Sequence, residues 1–233
     1  MNTSTLILYL ICAGVPMLIG LIAQGWLKSA VANGQKYTTR LSGAEAARRM
    51  LDSNGLQHVS INQIGGFLSD HYDPRTKSLN LSQDIYSGRN AAAVGVACHE
   101  AGHAVQDATR YAPLVIRNGA VPMANIGSNA GLIMLIAGLS INWTGLAWLG
   151  LIVFGFVVFF QIINLPVEFN ASSRGKAFLN ESNIVDRQGA ALVRSALYAA
   201  ATTYVAATMQ AVGTMLYYAM ILLAHSSGSN RES

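Results

Sequence analysis

Three stretches of this sequence, Met1–Leu27, Asn118–Val167 and Ser195–Asn230, contain no Asp, Glu, Lys or Arg. A helix that crosses a bilayer needs about 20 predominantly apolar residues, and inside hydrocarbon every backbone N–H and C=O must be satisfied within the segment itself. The first stretch is long enough for one such helix, the second for two with a turn, and the third for a fourth. The turn is expected around Ser140-Ile141-Asn142-Trp143-Thr144-Gly145, where polar residues and an interface-seeking Trp interrupt the apolar run. Composition agrees: the chain is 52% hydrophobic and 11% charged, against roughly a quarter charged in a soluble domain, too little to cover a water-facing surface. With Pro16 and Gly20 inside its apolar run and no basic n-region, the first stretch reads as a retained anchor rather than a removed signal peptide.

The basic residues set an orientation. Lys28–Arg117 holds ten Lys or Arg and Arg174–Arg194 four more, while the segments on the other side hold only Arg231. The positive-inside rule then places both polar regions in the cytoplasm. The expected order is a membrane span over residues 1–27, a cytoplasmic region over 28–117, a transmembrane hairpin over 118–167, a cytoplasmic segment over 168–194, and a last span with a short tail over 195–233. A net charge of +4 suits contact with anionic headgroups and does not call for nucleic acid. Cys12 and Cys98 form no disulfide framework and read as buried thiols.

Within 28–117, Leu41–Leu56 reads as an amphipathic helix with Ser42 and Glu45 spaced as a capping box and Gly55 as its stop. Val59 and Ile61 alternate with polar residues, as do Leu79 and Leu81, the period of half-buried strands; Phe67–Asp70 is a candidate third. The strand near Lys77–Ser82 is a candidate edge for adding an extended peptide. In the last span Ala199, Thr203, Ala207 and Ala211 form a small-residue stripe for close helix packing. Gln161 and Asn164, costly to expose to lipid, are expected to face the interior.

The run from Asn90 to Asp107 has helical composition but is too short to span a bilayer. It contains His99-Glu100-Ala101-Gly102-His103, an H-E-x-x-H pattern: two His four apart share one helix face and reach one zinc ion together, while the Glu lies about a third of a turn away, where it can take a proton from zinc-bound water. Such zinc lowers the pKa of its bound water to about 7 and polarises a carbonyl, which suits peptide hydrolysis. Gly95 and Gly102, unfavourable inside a helix, signal a close neighbour. A catalytic site needs a third protein ligand. After Asp107 the next acidic residue is Glu168, in NLPVEFNASSR, where a hairpin would return the chain to the same side. His71, in SDHYDPR, is an alternative third ligand or oxyanion stabiliser, and Cys98 points off the ligand face.

Together SDHYDPRTKSLNLS, VACHEAGHAVQDA and NLPVEFNASSR resemble the YugP-like family of bacterial membrane-bound neutral zinc metallopeptidases, over a match from about residue 30 to the last span. The resemblance implies zinc on His99 and His103, catalytic Glu100 and a plasma-membrane location. The layout is also similar to the HtpX-like membrane proteases, in which a Glu in an E-x-x-x-D pattern completes a gluzincin-type site; Ser172 stands here in place of the Asp. An outer carboxylate usually orients a zinc-bound imidazole. Asn170, Ser172 and Asp107 are the candidates to replace it.

The expectation is therefore a mostly α membrane protein, with four transmembrane helices and a small α+β zincin-like catalytic domain at the membrane surface. It would be a metalloprotease using one catalytic zinc on His99, His103 and Glu168, with Glu100 as base. Its partners would be the bilayer and peptide or protein substrates, membrane proteins among them. The rival class is a catalytically silent zinc-binding scaffold, which Glu100→Gln would leave unaffected.

Overall fold

The computed structural model of the protein describes residues 3–66 and 69–229. It is mostly helical. Helices α1 (Thr3–Tyr9) and α2 (Val15–Gln35) are joined by a one-turn π-helical segment, Leu10–Gly14, and α6 (Ala112–Ile126) and α7 (Leu132–Ser140) by another, Gly127–Gly131. The two longest helices are α8 (Thr144–Glu181) and α9 (Arg187–Ser229). Among the described residues, four stretches are long and apolar enough to cross a membrane: Thr5–Gln35, Ala112–Ser140, Thr144–Glu181 and Arg187–Ala224. The break between the second and third falls in the expected turn, where Trp143 N donates to Gly138 O at 2.8 Å.

The chain divides into two compact units, one of Met1–Ile22, Ile116–Leu165 and Thr203–Ser233, the other of Ala23–Val115 and Pro166–Thr202. The first presents Leu18, Leu21, Ile22, Ile133, Ile152 and Ile162 on its outside, each more than half exposed, a surface suited to lipid. Inside it, glycines admit close helix approach: a Cβ on Gly131 would stand 2.8 Å from Phe154 N, and one on Gly127 2.7 Å from Val153 O. In α9 the helix contacts run through Ala206 against Gly20 and Gly213 against Cys12, while Ala207 of the expected stripe is exposed. A four-residue spacing advances about 40° per step around a helix, so four such positions drift off one face, whereas a seven-residue spacing stays on it. Asn164 is buried, as its polarity demands.

The second unit holds α3 (Gly43–Ser53), strands β1 (Ser60–Ile64), β2 (His71–Asp73) and β3 (Ser78–Ser82), and helices α4 (Gln83–Ser87) and α5 (Ala91–Ala108). The α3 capping box is complete: Glu45 N donates to Ser42 Oγ at 3.2 Å, and Ser42 N to Glu45 Oε2 at 2.9 Å. Gly55, at φ +74°, follows the helix in the left-handed conformation that glycine tolerates. The sheet order is β1-β3-β2, with β1 parallel and β2 antiparallel to β3.

Two expectations need correction here. The third strand is His71–Asp73, not Phe67–Asp70; Phe67 and Leu68 lie outside the described residues, and Asp70 instead accepts hydrogen bonds from Ser82 N at 2.7 Å and Ser82 Oγ at 3.0 Å. The Lys77–Ser82 strand is not an edge either: β3 is paired on both sides, and its Leu79 and Leu81 are wholly buried. These leucines join Met50, Leu51, Val59, Val94, Leu179 and Val193 in the core on which α5 rests.

Candidate active site

Helix α5 begins where the Asn90 side chain accepts from Ala93 N at 2.9 Å, and its alanine- and glycine-rich run lets neighbours come close. A Cβ on Gly102 would sit 2.7 Å from Ala171 O, and one on Gly175 would sit 2.9 Å from Cys98 O, so α5 and the Pro166–Glu181 part of α8 touch backbone to backbone. A Cβ on Gly95 would stand 3.2 Å from the Val193 side chain. The glycines that looked anomalous in the sequence are thus the places where these helices meet.

That contact brings His99, His103 and Glu168 together, with one ligand atom from each all within 4.8 Å of one another. Glu168 Oε2 lies 3.3 Å from His99 Nε2 and 3.8 Å from His103 Nε2, and all three side chains are nearly buried. In a tetrahedral zinc site with bonds of about 2.0–2.1 Å, ligand atoms stand roughly 3.3 Å apart. The two nitrogen–oxygen distances lie at and a little above that value, and two imidazoles with one carboxylate leave a fourth position open.

The opposite edge of each ring is held. Gln106 Nε2 donates to Val167 O at 2.8 Å and to Asn170 Oδ1 at 3.0 Å, which fixes its amide so that Oε1 faces His103 Nδ1 at 3.0 Å. An amide oxygen only accepts, so Nδ1 carries a proton and donates to it, and Nε2 is the nitrogen left facing Glu168. His99 Nδ1 lies 3.0 Å from Ser172 Oγ. Burial disfavours a charged His99, but its hydrogen bond with Glu168 and the charges of Glu100 and Glu168 outweigh that and hold its pKa above the ordinary imidazole value.

Glu100 is not one of the three, and its carboxylate meets the Tyr72 backbone of β2. Burial, together with the charges of Glu168 and Asp70, raises its pKa to about 7, against the lowering effects of His99 and of a hydrogen bond from the Tyr72 backbone. Two turns along α5, Asp107 Oδ2 accepts from the Tyr72 hydroxyl at 2.8 Å and pairs with Lys77 Nζ at 2.6 Å. Strand β2 is therefore fastened to the helix at two points of the same face.

Residues 9–223 match the family described as "Putative neutral zinc metallopeptidase". Over 197 residues the chain is 42% identical to a protein of Bacillus subtilis (strain 168) described as "Putative membrane protease YugP", across 82% of this chain and 88% of that relative. The chain belongs to this zinc metallopeptidase family. No solved structure matches it.

Within this member of the zinc metallopeptidase family, the residues singled out in the sequence separate clearly. His99, His103 and Glu168 converge, while His71 does not join them. His71 Nδ1 faces Ser69 O at 2.8 Å and must donate, and Nε2 accepts from Asn80 Nδ2 at 3.2 Å, so the neutral ring keeps no N–H for an oxyanion. Cys98 is fully buried in the core. Of the three candidates to replace the missing Asp, Ser172 meets His99, Asn170 acts one step removed through Gln106, and Asp107 is engaged by Tyr72 and Lys77. Gln106 is the residue that sequence reasoning missed; its signal was a polar side chain three residues after a ligand, on the helix face that carries His103.

Proposed function

We propose that this chain is a membrane-embedded zinc metalloendopeptidase that hydrolyses peptide bonds with one zinc ion, at the cytoplasmic surface of a bacterial plasma membrane. The observation that carries this reading is the convergence of His99 Nε2 and His103 Nε2 on one oxygen of Glu168, with both Nδ1 atoms held from behind. His99, His103 and Glu168 would hold the ion. When bound, zinc lowers the pKa of a coordinated water to about 7 and polarises the scissile carbonyl.

The remaining steps belong to the chain's own groups. The Glu100 carboxylate accepts the proton of the attacking water and returns it to the leaving amine nitrogen. In the metal-free protein burial raises its pKa to about 7; a bound zinc ion would lower it, leaving the carboxylate ionised to take the proton. The Tyr72 N–H orients that carboxylate. The outer edge of β2 beside it is where an extended peptide can pair, a role that the sequence reading had given to β3. Substrates are peptides or proteins, membrane proteins among them.

The test is cleavage of an unstructured reporter polypeptide by detergent-purified, zinc-loaded protein, comparing wild type with Glu100→Gln. Loss of a general base costs about 10²–10⁴-fold in rate, so the variant should bind zinc and fall silent. Equal silence of both proteins with zinc bound would move the reading to a zinc-binding scaffold.

A further inference from the structure

We propose that the cleft between the end of α8 and the start of α9 seats the headgroup of an anionic phospholipid. The cleft has a volume of about 310 Å³ and is lined by Lys176, Arg187 and Arg194 around a floor that includes Leu179, Val185 and Val193. That volume is at the lower end for sites that enclose a small molecule. No acidic side chain lines it, and among the described residues none of the three cations has a carboxylate partner. Asp186, which adjoins Val185 and Arg187 in the chain, is turned to the Gly189 N–H and the Tyr37 hydroxyl.

Charge alone would serve any anion; the arrangement selects an amphiphile. Arg187 and Arg194 lie two turns apart on one face of α9, about 10.5 Å along its axis, with the small Ala190 and Ala191 between them leaving the floor open. A phosphate fits the cationic rim, and the glycerol and first acyl carbons fit the apolar floor. The cleft also adjoins the start of an apolar span. Arg194 directly precedes the charge-free run Ser195–Asn230, and Lys176 Nζ stands 4.3 Å above the ring of Tyr198, four residues into that run. On either side of Tyr198 in the chain, Ala196 and Ala199 pack with Leu27 and Ala30, and Trp26 directly precedes Leu27 in the sequence. Trp26 and Tyr198 are 45% and 47% exposed, as aromatic residues are where a protein enters the headgroup layer. Cationic pockets at that level favour acidic lipids.

The experiment uses the detergent-purified full-length chain, stripped of lipid and titrated separately with phosphatidylglycerol and phosphatidylcholine, with bound lipid counted by native mass spectrometry. Wild type should retain one phosphatidylglycerol at least tenfold more tightly than phosphatidylcholine. The triple variant Lys176→Gln/Arg187→Gln/Arg194→Gln should lose that preference, while Arg187→Lys/Arg194→Lys, which keeps the charge, and Arg40→Gln/Arg75→Gln/Arg110→Gln, outside the cleft, should keep it. Equal binding of both lipids by wild type, an unchanged preference in the triple variant with unaltered thermal unfolding, or displacement of the lipid by water-soluble glycerol phosphate would each overturn the assignment.

Discussion

At the scale of single residues, Gln106 determines how His103 can meet a metal. Its amide is oriented by two acceptors, Val167 O and Asn170 Oδ1, and its oxygen in turn fixes the proton on His103 Nδ1. Gln106→Leu keeps the bulk but removes that acceptor, so His103 is free to rotate or to carry its proton on Nε2. Zinc affinity should fall about 10–100-fold, the usual cost of losing a partner that orients a ligand, in a competitive titration against a chelating dye. His99 supplies a second prediction. Its pKa is raised in the metal-free protein, so it keeps a proton to higher pH than an ordinary imidazole does, and zinc must displace that proton. Apparent zinc affinity should weaken as pH falls through that raised pKa and level off above it, with about one proton released per ion on binding at the acidic end, measurable by calorimetry in buffers of differing ionisation enthalpy. The convergence of His99, His103 and Glu168 was legible in the sequence because helix periodicity puts the two histidines on one face, and Glu168 is the next acid after Asp107. Which polar neighbour lies behind each ring depends on how α8 is rotated against α5, and no spacing in one strand of text encodes that.

At the scale of elements, the glycines decide whether α8 can deliver Glu168 at all. The Gly102 position has a backbone oxygen, Ala171 O, where a Cβ would go, and a main-chain carbonyl inside a helix cannot swing aside as a side-chain end can. Gly102→Val should therefore force α5 and α8 apart, costing about 1–3 kcal/mol as overpacked interiors do, and shift Glu168, three residues before Ala171, away from both imidazoles. Thermal unfolding and zinc titration together check this: a lower Tm with unchanged zinc affinity would show that the helices accommodate the branch without moving the ligand. The sequence marked this contact correctly through Gly95 and Gly102, and the capping box placed α3. It did less well with the ends of the long helices and the order of the strands. Helix α8 runs to Glu181, beyond the last charge-free residue Val167, because loss of charge scarcity marks the end of lipid contact, not the end of helical hydrogen bonding. Alternation within β3 showed that it was half-buried but not that it lay between two neighbours, since sheet order is a property of pairs of strands.

For the whole molecule, the open quantity is which side of the bilayer the basic regions occupy. Four candidate spans bring every second connection to the same face, so one assignment fixes all the others. Fourteen of the fifteen Lys and Arg fall in Lys28–Arg117 and Arg174–Arg194, with only Arg231 elsewhere, and it is on this bias that the proposed cytoplasmic placement of both segments rests. That proposed placement would put the His99, His103 and Glu168 cluster, together with the cationic cleft, on the leaflet where acidic lipids attract juxtamembrane cations. Single cysteines introduced as Ser60→Cys, at an exposed position of β1, and Ser229→Cys at the end of α9, in a chain with Cys12 and Cys98 replaced by Ala, report the side directly. An impermeant maleimide applied to intact cells should label position 229 and leave position 60 unlabelled until the membrane is opened. Labelling at 60 but not at 229 would place the metal-ligand cluster outside the cell, and with it the substrates, so that secreted or surface peptides rather than cytoplasmic ones would have to be sought.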